Sequence, residues 1–370
     1  MRLGDICTIV SGSTPKSNIP EFWDGDIKWI TPAELTEDSY FINDSVRHIT
    51  ELGVAKTGLK PFPQGTVILS SRAPIGKTAI AGCEMYCNQG FKNLICSDKI
   101  NPRYLYWFLT CNTEYLNSLG RGATFKEISK EIVANIEIPL PAIEQQIAIA
   151  EKFEKISELI ALRKEQLAKL DRLVKSRFIE LFGDGHDGKA PTKMLGSICK
   201  FQQGTQIPVE EQFEEQISGY KRFLRIIDYT QAPQPPRYVN VNGKEVDEKS
   251  VVIVRYGATA GFVGRGYQGI LANNLFEIMP DETILSKDFL FLALKYGTFE
   301  EEVHAKAFGA AMPALSFSMM NDIPVVVPAT EQQQQFAVFA EQTDKSKLVI
   351  QQSLDKLELL KKSLMQEYFG

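Results

Sequence analysis

The segment Pro139–Gly183 returns at the C-terminus as Val326–Gly370 without a gap. In both copies a proline leads through x-x-Glu-Gln-Gln into a helical pattern that closes on Phe-Gly. Pro141 pairs with Pro328, Glu144 with Glu331, Phe182 with Phe369 and Gly183 with Gly370, all at one constant offset. A duplication of this kind restricts the chain to folds that use one arrangement twice. In the first copy Phe153, Ile156, Ile160, Leu167, Leu170, Val174 and Leu181 alternate three- and four-residue steps, the spacing of a coiled-coil seam. Arg163 and Arg177 interrupt it. In the second copy Ile350, Leu354, Leu357, Leu364 and Tyr368 take the matching places, and Lys347 and Lys361 stand opposite Ile160 and Val174. Neither stripe is pure enough to hold an isolated helix in water, because helices draw most of their stability from a buried face. Each copy is therefore expected to pair with the other. The alternative is that each is a surface helix of its own domain.

Outside the helices the repeat continues more loosely. Leu3–Cys7 leads to Gly12-Ser13-Thr14-Pro15, and Leu195–Cys199 leads to Gly204-Thr205-Gln206-Ile207-Pro208. Trp29–Thr36 matches Phe223–Thr230, a strand with an acidic residue at its end. Val67–Gly76 matches Val252–Gly261, each an apolar strand, a Gly/Pro turn and a return strand, which predicts a hairpin tip. This alignment sets Arg72 opposite Gly257 and Lys77 opposite Phe262. Asn88-Gln89-Gly90-Phe91 matches Asn273-Asn274-Leu275-Phe276, and Tyr104–Phe108 and Phe289–Ala293 are apolar helix faces. Gly122-Ala123-Thr124 and Gly309-Ala310-Ala311 mark a loop in each block, and Gly183–Gly188 is a helix stop and linker. The expected fold class is α+β: two homologous α/β domains, 1–143 and 184–330, separated by two long helices, 144–183 and 331–370, that pair as an antiparallel coiled coil.

A length of 370 residues allows two to three domains, and 44% hydrophobic residues suffices for their cores. The net charge of −5 does not by itself point to nucleic acid, although recognition depends on where cations cluster. Six scattered cysteines fit reduced thiols, and the Cys83/Cys87 spacing has no second pair or nearby histidine to complete a zinc site. No apolar run approaches a membrane span and no signal peptide is evident, so the chain is expected in the cytoplasm, with no membrane partner. Enzyme readings fail on their own motifs. Gly76-Lys77-Thr78 lacks the upstream glycine of a phosphate loop, where Ser71 stands. Pro235-Pro236-Arg237-Tyr238 has Gln234 where an amino-methyltransferase needs an acid, no E-x-K pair of a nuclease is present, and His48, His186 and His304 are isolated.

The globular blocks resemble target recognition domains, and the whole pattern resembles the specificity subunit of type I restriction-modification systems. The resemblance rests on the P-x-x-E-Q-Q start of each long helix, Ser71–Lys77, Asn88–Lys92 and Gly122–Ser129, and it spans essentially the whole chain. It implies two domains held apart by antiparallel helices, each reading half of a split double-stranded DNA target, with no catalysis in this chain. It also implies that two methyltransferase subunits dock on the helices and that motor-nuclease subunits join for restriction. No cofactor is expected here; S-adenosylmethionine belongs to the methyltransferase partner. A helix of about 30 to 40 residues spans roughly 45 to 60 Å, against roughly 34 to 36 Å per turn of B-DNA, so two readers on such a spacer would contact separated half-sites.

Side-chain chemistry nominates the readers. In the first block Arg72, Gly76 and Lys77 lie at a hairpin tip thin enough for a groove, where an arginine can bond guanine bidentately, and Asn88 and Gln89 suit adenine. Lys16, Lys92, Arg121 and Lys126, with Ser13, Thr14 and Thr124, are candidate phosphate contacts that set register. In the second block the equivalents are Arg255, Tyr256 and Thr259, then Asn273 and Asn274, with Thr205, Arg222, Arg225 and Arg265. The competing function is a scaffold that binds no DNA and uses the duplicated helices for protein partners, a reading favoured by the net acidity.

Overall fold

The apolar spacing of the two duplicated segments produces two continuous helices, Ile143–Phe182 and Thr330–Phe369. The computed structural model describes residues 1–36, 39–122, 126–183, 189–230, 234–307 and 314–370. The chain divides into two compact units, Met1–Lys164 with Gln352–Gly370, and Glu165–Gln351, so that both divisions fall inside the long helices.

The first unit contains strands β1 (Cys7–Val10), β2 (Trp23–Ile30), β3 (Phe41–Ile42), β4 (Arg47–Ile49), β5 (Val67–Leu69), β6 (Thr78–Ala81), β7 (Tyr86–Cys87) and β8 (Asn93–Cys96). They form a five-stranded sheet in the order β1-β8-β5-β6-β3 and a three-stranded sheet β4-β2-β7. The expected hairpin is β5 against β6 in antiparallel register. Thr78 opens a strand, which removes the helix that a phosphate loop requires. The apolar run Tyr104–Leu109 lies buried in helix Pro102–Cys111, whose start is capped by the Asn101 side chain accepting from the Arg103 and Tyr104 amides.

The second unit contains β9 (Thr192–Met194), β10 (Cys199–Gln203), β11 (Lys221–Leu224), β12 (Arg237–Val239), β13 (Glu245–Val246), β14 (Val251–Val254), β15 (Val263–Gly264), β16 (Gly269–Leu271), β17 (Leu275–Pro280) and β18 (Pro324–Val326). Two four-stranded sheets, β10-β17-β14-β15 and β12-β11-β16-β13, lie beside the pair β18-β9. Helix Lys287–Tyr296, capped by Ser286, repeats the role of Pro102–Cys111.

Both Glu-Gln-Gln motifs resolve into the same internal clamp. Gln146 is fully buried; its Oε1 accepts from the Asn101 amide at 2.9 Å, and its Nε2 donates to the Lys99 and Pro141 carbonyls at 3.0 and 2.9 Å. Gln333 is 2% exposed and does the same with the Ser286 amide (3.1 Å) and the Ile284 and Pro328 carbonyls (both 2.9 Å). A primary amide carries donors and an acceptor on one planar group, which matches three otherwise unpaired backbone groups at a buried helix start.

The Phe-Gly endings are core anchors. In the second unit Phe182, ending the first long helix, packs at 5.1 Å on Phe289 and 5.4 Å on Phe336. In the first unit Phe369, ending the second, packs at 5.6 Å on Phe153 and 5.3 Å on Tyr104. Each core thus takes in the terminus of the helix that starts on the other repeat. Gly183 caps its helix with a left-handed φ of 73°.

Within each unit the helices run antiparallel. In the first, Lys152 donates to the Tyr368 hydroxyl at 2.9 Å and Lys164 lies 3.5 Å from Glu358. In the second, Lys347 meets Asp171 at 2.8 Å and Phe178 packs on Phe336 at 5.5 Å. The expected seam needs two corrections. Leu181 is 40% exposed, and Arg177 points outward to pair with Glu180, because Val174, Phe178 and Phe182 form the inward face at that end. Lys347 does lie in the seam, held between Asp171 and Asp344, and the two carboxylates raise its pKa against the opposing effect of burial.

Candidate nucleic-acid interface

In the first unit four separate segments converge at the tip of the β5–β6 hairpin. Gly12 lies so close to the Cys87 carbonyl that a Cβ would overlap it, so the chain can cross there only as glycine. The next residue, Ser13, donates its amide to that carbonyl at 3.1 Å and accepts from the Trp29 indole at 3.0 Å. Thr14 donates its hydroxyl to the exposed Gln89 amide oxygen. Asn88 is fixed by its amide donating to Ile30 at 3.1 Å and its Oδ1 accepting from Gly90 at 2.8 Å. Ser71 donates to the Gly90 carbonyl at 2.8 Å and accepts from the Ile128 amide at 3.0 Å. Arg72 and Arg121 each bridge to Glu127 through the backbone.

This convergence places Ser13, Thr14, Asn88, Gln89, Arg72, Arg121 and Lys126 together around the tip; Lys16 is exposed at the end of the Ser13–Lys16 loop, its carbonyl accepting from the Trp23 indole. Three expectations change. Lys92 is 7% exposed, with its ammonium 3.0 Å from Glu127 and 3.3 Å from the Ser71 hydroxyl. A buried cation needs that counter-ion, so Lys92 supports the tip from beneath and does not present itself to a phosphate. Lys77 is half-buried and donates to the Leu35 carbonyl, and Gly76 is buried against Thr113. Thr124 lies outside the described residues.

The second unit repeats the scaffold. A Cβ on Gly204 would overlap the Ala272 carbonyl, Thr205 donates its amide to Leu271 at 2.7 Å, and the Asn273 side chain donates to Gln206 at 3.3 Å. Arg255 donates its amide to the Asn274 carbonyl at 2.9 Å and accepts from the Leu315 amide at 2.9 Å, the bonds Ser71 makes in the first unit. Backbone pairing therefore sets Arg255 opposite Ser71 and Tyr256 opposite Arg72. The sequence alignment, which set Gly257 opposite Arg72, is out by one position because the second tip carries an extra residue before Gly261. The Arg255 guanidinium lies 4.6 Å from the Tyr256 ring, and Tyr256 and Thr259 are exposed.

The remaining second-unit candidates are committed internally. Arg222 and Arg225 hold the buried Asp228 carboxylate at 3.3 and 3.0 Å, and Arg222 also stacks over Tyr267 at 4.4 Å. Arg265 pairs with Asp288 at 2.9 Å over the Phe291 ring. The Thr205 hydroxyl accepts from the Lys244 amide at 2.8 Å. Residues overlooked in the sequence are the side-chain partners Gln206 and Glu127. Gln206 stands in the repeat position of Thr14, which was a usable signal; Glu127 carried none. Among the described residues no cluster of His, Cys, Asp and Glu could hold a metal ion, and no helix is long and apolar enough to cross a membrane.

Comparison with known proteins also finds the repeat. The chain matches the type I restriction modification DNA specificity domain over residues 1–172 and again over 190–359. It is 30% identical over 360 residues to the type I restriction enzyme MjaIX specificity subunit of Methanocaldococcus jannaschii, covering 88% of this chain and 82% of that one. It is 23% identical over 370 residues to the EcoprrI specificity subunit of Escherichia coli, covering 93% and 87%. Its fold resembles a chain in a structure of type I R-M complex assembly (TM-score 0.64, 18% identity, 100% and 96% covered) and the S subunit from M. genitalium (TM-score 0.60, 16% identity, 100% and 95% covered). With the specificity-domain match recurring on both repeats and a relative of this kind matched over most of its length, the chain belongs to the type I restriction-modification DNA specificity family.

Proposed function

We propose that the chain reads a split DNA target, one half with the Arg72/Asn88/Gln89 face of the first unit and the other with the Arg255/Tyr256/Asn273 face of the second. The observation that carries this reading is that the two faces share their backbone hydrogen bonds and differ in the side chains those bonds display. A constant frame with variable polar groups suits two readers of different half-sites, since base edges are distinguished by donor and acceptor pattern. Ser13, Thr14, Lys16, Arg121 and Lys126 would contact phosphates and fix register.

The chain is a non-catalytic specificity subunit, the role its family membership carries. Chemistry then falls to the partners: methyltransferase subunits, one on each copy of the duplicated helix, supplying S-adenosylmethionine, with motor-nuclease subunits added for restriction. Exposed apolar side chains on the helices, Leu162 and Leu359 in the first unit and Leu173, Leu348 and Val349 in the second, support docking there. We assign the recognition domains to 1–143 and 184–330 and the docking helices to 144–183 and 331–370. The test is a titration of pooled random duplex in the presence of the methyltransferase. Enrichment of two short blocks at a fixed gap supports the reading; absence of DNA binding at any salt concentration refutes it and favours a protein scaffold.

A further inference from the structure

The first unit holds one more cation beside the Ser13–Lys16 loop. Strand β2 bulges after Trp23, so that Trp23 and Ile27 both face Ile49 of β4. The bulge sets Trp23 edge-on to Trp29, with ring centroids 5.1 Å apart. Both rings are buried, and each indole aims its donor at the same loop: Trp29 donates to the Ser13 carbonyl at 3.0 Å and Trp23 to the Lys16 carbonyl at 3.2 Å.

Arg47 opens β4 directly opposite Trp29. Its carbonyl accepts from the Ser45 hydroxyl at 2.8 Å, and that hydroxyl accepts from the Trp29 amide at 2.9 Å, so the residue is fixed to β2 at its root. Its guanidinium lies 3.6 Å from the centre of the Trp23 ring and 5.7 Å from that of Trp29. The side chain is exposed and, among the described residues, has no hydrogen bond and no carboxylate partner. Asp44, the nearest acid in sequence, lies 3.2 Å from His48 and 4.0 Å from Lys28. Stacking on an indole restrains a guanidinium while its in-plane donors stay free, and that fork matches two oxygens of a phosphate. Arg222, Arg225 and Arg265 lack this freedom, being held by carboxylates. The second unit keeps an arginine at the same place: Arg237 faces Phe223 across β11 and β12 as Arg47 faces Trp29, but there the exposed Glu214 binds it at 2.7 Å.

We propose that Arg47 binds a DNA phosphate beside the first half-site, and that the Trp23–Trp29 pair positions it together with the Ser13–Lys16 loop. The inference rests on the DNA-reading assignment and adds to it a contact that carries affinity and register but no sequence information. Because the same two indoles hold the loop and the arginine, a phosphate gripped by Arg47 fixes the distance between the DNA backbone and the loop that carries Ser13 and Thr14.

The test measures binding of the full chain, with its methyltransferase partner, to pooled duplex across a salt series. Arg47→Leu, which keeps an apolar group on Trp23, and Arg47→Gln should each lower the slope of log binding constant against log salt by about 1. Both should weaken binding to all sequences alike, and retention of both halves of the enriched motif shows that the first unit is still folded. Arg47→Lys keeps the charge and should retain the parent slope. Lys60→Leu removes another exposed charge from the first unit and should also leave the slope as it is. An unchanged slope in Arg47→Leu and Arg47→Gln, an equal fall in Lys60→Leu, or a first half-motif altered by both Arg47 replacements overturns the proposal while leaving the split-target reading in place. A parent that binds no DNA at any salt concentration overturns that reading, and this inference with it.

Discussion

Gln146→Leu is the sharpest probe of how each long helix is joined to its globular block. Leucine is close to glutamine in volume, so the substitution leaves little cavity and isolates the polar contribution. It strands the Asn101 amide and the Lys99 and Pro141 carbonyls, all served by one buried side chain. An unsatisfied buried group costs roughly 1 to 3 kcal/mol. Lys99 is itself exposed, so water can recover part of its loss. A net destabilisation of about 3 to 4 kcal/mol follows, equivalent to a fall of roughly 10 °C in the melting of the first unit. Urea unfolding with a probe in that unit measures it, with Gln145→Leu as the control; Gln145 is exposed and should stay within about 0.5 kcal/mol of the parent. Gln333→Leu should produce the same loss in the second unit. If Gln146→Leu is as mild as its neighbour, the clamp does not hold the helix and the account of the Glu-Gln-Gln motif fails.

Gly12→Ala and Gly204→Ala should each displace the loop on which one face is built, weakening discrimination in one half-site and leaving the other intact when binding is profiled on pooled duplexes. Lys126→Ala should lower the slope of log binding constant against log salt by about 1. Lys92→Met should leave that slope unchanged and lower stability, since it removes the partner of Glu127. Burial pushes the thiols of Cys87, Cys111 and Cys199 up to about 12 from 9.0. Because the folded values are raised, the stabilisation is complete below about pH 9 and is lost as pH rises towards 12; alkylation at pH 8, followed by mass spectrometry, should therefore spare these three until the protein unfolds.

Much of this architecture was legible because it is written twice. The helix starts and the Phe-Gly endings lie in segments whose two copies align without ambiguity, and the β5–β6 hairpin lies in segments that match everywhere but at the tip. What the motifs were for was not legible: Gln146 and Gln333 read as polar helix residues until the backbone groups they serve are in place. The seam pattern failed at Leu181 and Arg177 because the inward face there is set by Phe178 and Phe182, which belong to an aromatic core assembled from distant segments. Charged residues were the hardest to place. Arg222, Arg225, Arg265 and Lys92 have the composition of phosphate contacts, but Asp228, Asp288 and Glu127 claim them; Asp288 and Glu127 are distant in sequence, and the nearby Asp228 reads in the sequence only as the acidic end of a strand. The one-residue slip at the second hairpin tip arose because a longer loop between matching strands can be aligned from either side; the hydrogen bonds of Ser71 and Arg255 decide it.

On the proposed function, two equivalent faces read two different half-sites. Its most direct test is to map methylated positions in DNA exposed to the chain and its methyltransferase partner, comparing the parent with Arg72→Ala and with Tyr256→Ala. A bipartite motif is expected in the parent, with the first substitution relaxing one half only, the second relaxing the other only, and the gap between them unchanged. A single uninterrupted motif, or one substitution altering both halves, would contradict it.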